Sequence, residues 1–289
     1  MQIYINGNFY AKEEAKISVL DHGLLYGDGV FEGIRVYEGK VFRLKEHLDR
    51  LYESAKYIML QIPLAQEKLT EAVLETVRRN KLPNAYIRLI VTRGVGTLGL
   101  DPFLCKKSQI IIIVDKIQLY PKEFYEKGLE IITSSIIRTP EAALSPRVKS
   151  LNYLNNIMAK IEAVHAGVPE SVMLSSEGFV VECTGDNIFV VRRNELFTPP
   201  SSSGILEGVT RGCVIDIARN LGYTVVEKFL TRHDLYTADE LFLTGTAAEV
   251  VPAVILDKRL IGNGKPGTIT LKLVKQFKEL TQREGLPAL

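Results

Sequence analysis

The chain has 289 residues, enough for one large domain or two modest ones with a substantial core. Apolar residues make up 46% and charged residues 24%, which excludes a disordered polymer, and a net charge of +2 excludes a dedicated nucleic-acid binder with a basic stripe. No apolar run approaches the roughly 20 residues that a bilayer crossing requires, and the start MQIYINGNFY lacks the basic and apolar regions of an export signal.

In chain order, residues 3–10 alternate around Asn6-Gly7 and predict a hairpin. Leu44, Leu48, Leu51 and Ala55 recur at helical spacing, as do Leu69, Val73, Leu74 and Val77. Strand-like runs at 86–92 and 109–114 complete a small α+β unit over residues 1–117. Residues 118–128, with a proline and three aromatic rings, read as a linker. From 129 to 289 a larger domain is expected, with strands at 129–137, 171–174, 179–182 and 187–191. Leu154, Ile157, Met158 and Ile161 mark a helix between the first two of these. A further helix over 210–221 ends at Gly222, a C-cap glycine. Thr231 with Asp234 starts another, and Ile269, Leu273, Phe277 and Leu280 form a closing amphipathic helix.

Residues 94–99 match GxGxxG after a strand, the pattern of a dinucleotide site. Such a site needs a helix opening at the last glycine, and Leu100-Asp101-Pro102 prevents one, because proline forces an extended residue before it. Cys105, Cys183 and Cys213 are far apart and without CxxC spacing, so they read as reduced thiols of a cytosolic protein, and the four histidines show no ligand pairing; no metal is expected.

Two segments carry the chemistry. Residues 182–189 (ECTGDNIF) place a carboxylate on a hairpin, and 204–211 (GILEGVTR) open a helix after glycines with Thr210 and Arg211. Backbone N–H groups at a helix start, with a hydroxyl beside them, suit a phosphate, and a nearby buried acid suits a positive charge on the same ligand. Pyridoxal phosphate has both features. An ordinary helix cap is the commoner explanation of the second segment taken alone.

Five more segments accompany these: 26–39 (YGDGVFEGIRVYEG), 42–51 (FRLKEHLDRL), 85–88 (AYIR), 148–156 (VKSLNYLNN) and 244–252 (TGTAAEVVP). In their order and spacing the seven resemble the branched-chain amino-acid aminotransferases, pyridoxal-phosphate enzymes of fold type IV, over nearly the whole chain. The resemblance implies a two-domain fold, with a small N-terminal α+β domain and a larger C-terminal mixed sheet, barrel-like, with helices.

It also implies residue roles. Lys149 forms the Schiff base with pyridoxal phosphate and shuttles a proton, which requires an amine that is neutral part of the time; before a helix, such a lysine also reads as a solvated surface residue. Glu182 faces the pyridine nitrogen and Asn187 braces its turn, the alternative being a strand-end glutamate in water. Arg43, Val209, Thr210 and Thr246 hold the phosphate, although Arg43 also reads as an exposed salt-bridging residue. Tyr153 meets the phenolic oxygen, or else lines the core, and Leu206 packs under the ring. Tyr86 and Arg88 share one strand face, Arg88 serving the side-chain carboxylate of glutamate. Tyr26, Phe31 and Gly33 form an apolar wall, Thr246 and Ala247 offer N–H groups to the α-carboxylate, and Tyr120 closes the pocket.

The function so implied is transamination of branched-chain L-amino acids with 2-oxoglutarate, in a cytoplasmic homodimer or higher homo-oligomer whose 94–99 loop reaches a neighbouring subunit. Its partners are small amino acids and 2-oxo acids, not nucleic acid or membrane. D-amino-acid aminotransferase, (R)-amine transaminase and aminodeoxychorismate lyase are alternatives on the same fold. A cofactor-free scaffold is the alternative from another class, and joint retention of Lys149, Glu182 and Arg43 argues against it.

Overall fold

The sequence turns back at Asn6 and Gly7, whose φ angles of 50° and 94° give the doubly left-handed turn that matches strand twist. It joins β1 (Gln2–Ile5) to β2 (Asn8–Ala11). The computed structural model describes residues 1–117 and 120–289 and divides them into two units. Among the described residues no helix is long and apolar enough to cross a membrane.

The first unit comprises Met1–Ile117 with Val148–Asn152 and Thr281–Leu289, so three separate stretches build it. Its further elements are α1 (His22–Tyr26), β3 (Gly29–Tyr37), β4 (Lys40–Val41), α2 (Leu44–Tyr57), α3 (Gln66–Asn80), β5 (Ala85–Thr92) and β6 (Gln109–Asp115). The sheet runs Leu286–Pro287, β4, β3, β5, β6, β1, β2, with antiparallel pairing throughout. Leu44, Leu48, Leu51 and Ala55 of α2 and Leu69, Val73 and Val77 of α3 form one core with Val30, Ile34, Val36, Ile87 and Leu89. Each helix thus buries the stripe that its spacing marks. The strand alternation leaves Tyr86, Arg88 and Ile90 half-buried on the opposite side. The 94–99 loop opens no helix, which agrees with the rejection of a dinucleotide site.

The second unit comprises residues 120–147 and Tyr153–Leu280. Its elements are α4 (Lys122–Lys127), β7 (Leu129–Ile137), α5 (Leu154–His165), β8 (Glu170–Leu174), β9 (Val180–Cys183), β10 (Asn187–Arg192), β11 (Glu195–Thr198), α6 (Val209–Asn220), β12 (Val225–Glu227), α7 (Arg232–Tyr236), β13 (Glu240–Gly245), β14 (Glu249–Leu256), β15 (Arg259–Leu260) and most of α8 (Thr268–Arg283). The sheet order is β12-β11-β10-β13-β14-β7-β8-β9, with β15 on β14. It is mixed: β11/β12, β14/β7 and β7/β8 are parallel. Gly222, at φ 84°, follows α6 as expected, and the Thr231–Asp234 capping box forms.

One expectation needs correction. The stretch read as a linker holds α4, and Tyr120, Phe124 and Tyr125 pack on the second unit's core, so these rings are structural rather than connecting; Gln118 and Leu119, at its start, lie outside the described residues. The apolar spacing of α5 gives the expected helix; Leu154, Ile157, Met158 and Ile161 are exposed on it, and Asn156, Ala159 and Ala163 turn inward.

Candidate active site

In the first unit, Lys149 lies in an irregular stretch laid against β3. Its carbonyl accepts the Phe31 N–H at 2.9 Å and its own N–H donates to Ser54 Oγ at 3.1 Å. Leu151 N–H donates to Gly29 O at 3.0 Å, and Ser150 bridges to Val30. The backbone is therefore fixed on both sides of the lysine, and the ammonium stands 4.7 Å from the centre of the Phe31 ring. The Arg88 guanidinium lies 4.6 Å from the same ring and 5.4 Å from that of Tyr86. Gly33 pairs with Arg88 across the strands, and a Cβ on it would overlap the Tyr86 hydroxyl. The structure thus gathers Lys149, Phe31, Gly33, Tyr86 and Arg88 on one sheet face, an apolar floor edged by cations.

The opposite side of β3 carries a group that the sequence does not reveal. Glu32 is fully buried and accepts from Arg50 Nε and Nη2, both at 2.8 Å, and from His47 Nδ1 at 2.7 Å. Burial opposes its charge, but the Arg50 and His47 contacts outweigh burial and hold its pKa at about 2. His47 is pushed down, chiefly by burial and also by Arg50 and Lys149, against the pull of Glu32. A neutral imidazole donating Nδ1–H to a carboxylate follows. His47, Arg50 and Ser54 recur at i, i+3 and i+7, so one stripe of α2 serves both Glu32 and the Lys149 backbone.

Because folding depresses the Glu32 pKa from 4.5 to about 2, the stabilisation from its charge is complete above pH 4.5. It is lost as pH falls toward 2, and amounts to roughly 3 kcal/mol at about 1.4 kcal/mol per unit. E32Q leaves Arg50 without its carboxylate and is expected to destabilise the protein by about 3–5 kcal/mol at neutral pH. Urea unfolding of wild type and variant between pH 7 and pH 2.5 checks this: the gap should close on the acid side and stay open at neutral pH.

In the second unit, Glu182 is the penultimate residue of β9 and is 5% exposed. Its Oε1 accepts from Arg138 Nε at 3.1 Å and pairs with Nη2 at 3.0 Å. Its Oε2 accepts the Leu206 N–H at 2.9 Å and Asn187 Nδ2 at 3.3 Å, and Asn187 also donates to Leu206 O at 2.8 Å. Asn187 therefore links the Glu182 carboxylate to Leu206, which joins through its backbone. The 12-residue α6 begins at Val209, and its N-cap Gly208 has no side chain with which to cap the first N–H donors at Val209 and Thr210. A Cβ at Gly208 would strike Asn187 Oδ1, which ties this helix start to the Glu182 brace. Uncapped donors, the Thr210 hydroxyl and a fixed carboxylate fit a ligand that pairs a phosphate with a cationic ring. Thr246 and Ala247 are half-buried in the turn between β13 and β14, and Tyr153 is half-buried at the start of α5.

The structure places three further expected residues as follows. Arg43 precedes Arg50 by two turns of α2, about 10 Å along the axis, and pairs with Glu46 at 2.9 Å and Glu284 at 2.6 Å in a half-exposed position. Tyr120 is buried in the second unit's core, its hydroxyl 3.4 Å from Asp186 Oδ2. Tyr26 is exposed and donates its hydroxyl to Leu98 O, so it anchors the glycine-rich loop within the first unit. Glu32, His47, Arg50 and Arg138 escape a reading of the sequence. The i, i+3 spacing of His47 and Arg50 is its one available signal, and their common partner lies 15 to 18 residues earlier.

Known proteins resemble this chain over almost its whole length. The amino-transferase class IV family model matches residues 29–256. A protein of Methanocaldococcus jannaschii that bears a provisional branched-chain-amino-acid aminotransferase name is 55% identical over 286 residues, 99% of this chain and 98% of that one. The branched-chain-amino-acid aminotransferase of Pseudomonas aeruginosa is 38% identical over 283 residues, 96% of this chain and 92% of its own. Among solved structures, the T.th. branched-chain amino acid aminotransferase with pyridoxamine 5'-phosphate superposes with a TM-score of 0.94 at 43% identity, covering 98% of this chain and 95% of that one. The same enzyme complexed with N-(5'-phosphopyridoxyl)-L-glutamate gives a TM-score of 0.92 at 42% identity, covering 98% and 95%.

Proposed function

The chain belongs to the class IV aminotransferase family, and we propose from this, and from the two residue sets above, that it is a pyridoxal-phosphate-dependent branched-chain amino-acid aminotransferase. When bound, the cofactor supplies an electron sink that stabilises the carbanion left as the substrate's Cα loses its proton. The observation that carries the reading is Lys149, an amine on a backbone fixed from both sides over the Phe31 ring.

In this reading Lys149 Nζ would hold the cofactor between turnovers and, as a free amine, would accept the proton from the substrate's Cα and pass it on within the same half-reaction, the transfer running backwards in the second. Glu182, kept in place by Arg138, Asn187 and Leu206, holds a proton on the ring nitrogen. Val209 and Thr210 donate backbone N–H groups to the phosphate, with hydroxyls from Thr210 and Thr246. Arg50, on the α2 stripe whose Ser54 anchors the Lys149 backbone, offers a guanidinium in place of the outward-paired Arg43. Tyr153 meets the phenolic oxygen. Phe31, Gly33 and Tyr86 receive an apolar side chain, Arg88 the distal carboxylate of a dicarboxylate, and Thr246 and Ala247 the α-carboxylate. An apolar wall with an edge arginine suits both a branched-chain amino acid and 2-oxoglutarate, the proposed acceptor.

We further infer a homodimer or higher homo-oligomer. Leu154, Ile157, Met158, Ile161 and Val164 form an exposed apolar stripe on α5, and Leu98, Leu100 and Phe103 expose another surface in the first unit. Apolar area on this scale marks association surfaces. Three free cysteines among the described residues accord with the proposed cytoplasmic setting.

A donor panel tests the substrate assignment. With 2-oxoglutarate as acceptor, L-leucine and L-isoleucine should turn over, and D-alanine and (R)-phenylethylamine should be at least about a hundredfold slower in kcat/KM, a difference of about 3 kcal/mol in transition-state binding. Turnover confined to D-alanine would overturn the substrate assignment and leave the fold intact.

A further inference from the structure

Beside the Glu182 brace the second unit encloses a second acidic group with no part in the chemistry assigned so far. Asp186 is 5% exposed and Glu170 is 2% exposed. Glu170 Oε1 accepts from Thr184 N and Oγ1 at 3.1 and 2.6 Å and from Ser171 N at 2.8 Å, which commits it to the turn after β9. That turn closes by a 2.8 Å bond from Cys183 N to Asp186 O. Asp186 Oδ1 then fills the space that a Cβ at Gly245 would need, and Asn187 pairs with Thr244 one step along. Asp186 is therefore wedged between the turn that follows Glu182 and the turn that carries Thr246 and Ala247.

Resting on the reading that the Thr246–Ala247 turn receives the substrate's α-carboxylate, we propose that Asp186 is a positioning residue: as a neutral carboxylic acid it sets the spacing of the two turns and admits that carboxylate, and once ionised it repels it. The charged and titratable groups around it come from every neighbouring element. Glu170 stands on β8, Glu182 and Cys183 on β9, Lys160 on α5, Tyr120 just before α4 with Tyr125 beside it, and Glu249 on β14 opposite Gly245. Burial and then the Glu170 charge raise Asp186 to about 7, against Lys160, whose Nζ is 3.4 Å from Glu170, and against the Tyr120 hydrogen bond. The neutral acid is thus the dominant form below neutrality, and the charged form above it.

The test uses the pyridoxal-phosphate-loaded enzyme and 4-methylvalerate, a carboxylate with no amine of its own to titrate, its Kd measured by calorimetry from about pH 6 to about pH 8.5. Over this range the Kd of wild type should rise at least about tenfold more than that of D186N, since one unit of pKa corresponds to a tenfold change in affinity. E170Q keeps an acceptor oxygen but removes the neighbouring charge; its effect on Asp186 is to lower the pKa, so the weakening should begin at lower pH than in wild type. An identical pH course in wild type, D186N and E170Q would overturn the proposal while the substrate reading stands. Failure of wild type to bind 4-methylvalerate at any pH would instead overturn the substrate reading, and the proposal with it.

Discussion

K149A is expected to lose at least about four orders of magnitude in kcat for L-leucine, because general acid–base transfer contributes about 10²–10⁴ and the covalent role adds to it. The alanine removes only the reach beyond Cβ. The backbone bonds from Phe31, to Ser54 and at Leu151 remain, so β3 and α2 keep their packing. Thermal unfolding should accordingly change little while turnover disappears. K149R is the informative partner: it keeps a cation over the Phe31 ring but cannot present a neutral amine, and it should be as inactive as K149A. Stopped-flow spectra with leucine check both, and a K149R that retained more than about a tenth of wild-type turnover would refute the proton-transfer role, since one factor of ten is about 1.4 kcal/mol of barrier.

E182Q carries the second large effect, and it divides into two parts. Arg138, 9% exposed, loses its carboxylate, and breaking one side of a buried pair costs about 3–5 kcal/mol of stability. The proton on the ring nitrogen also loses its counter-charge, expected to lower kcat by about 10²–10³, the scale of a removed preorganised electrostatic contact. The double variant E182Q/R138M separates the parts. Replacing both members of the pair by groups of similar volume should recover most of the stability, as seen from a restored urea midpoint, with no recovery of kcat. Recovery of turnover along with stability would mean that Glu182 acts only through folding.

The elements whose burial follows one clean period are legible in the sequence. The Asn6-Gly7 hairpin, the stripes of α2 and α3, the ends of β7 and the Thr231–Asp234 box all form as their residues dictate. β13 and β14 give no such strand signal, because ELFLTG and EVVPAVIL are buried on both faces and continuous apolar runs carry no period. Pro121 reads as a break, yet it occupies the cap before α4, where its missing N–H costs nothing. The α5 spacing gives its helix but not the side it buries: the apolar stripe is exposed in the single chain.

The site itself is legible only where a motif names one residue. Lys149 and Glu182 can be picked out, but the partners that hold them cannot, since these lie far off in sequence: Ser54 is 95 residues from Lys149, and Arg138 is 44 from Glu182. Charged side chains in a core are visible from sequence only when their partners are known, which is why Glu32, His47 and Arg50 escape notice. Arg43 shares its motif with a second arginine, Arg50, two helical turns on, and the sequence alone does not separate their roles.

The central claim is that Lys149 Nζ bonds the cofactor's aldehyde carbon. Borohydride reduction of the purified holoenzyme, followed by digestion and peptide mass measurement, tests it most directly. The account predicts a phosphopyridoxyl mass on the peptide that contains Lys149, and none on the corresponding peptide of K149A. That mass on another lysine of the wild-type chain, or on none, would contradict it.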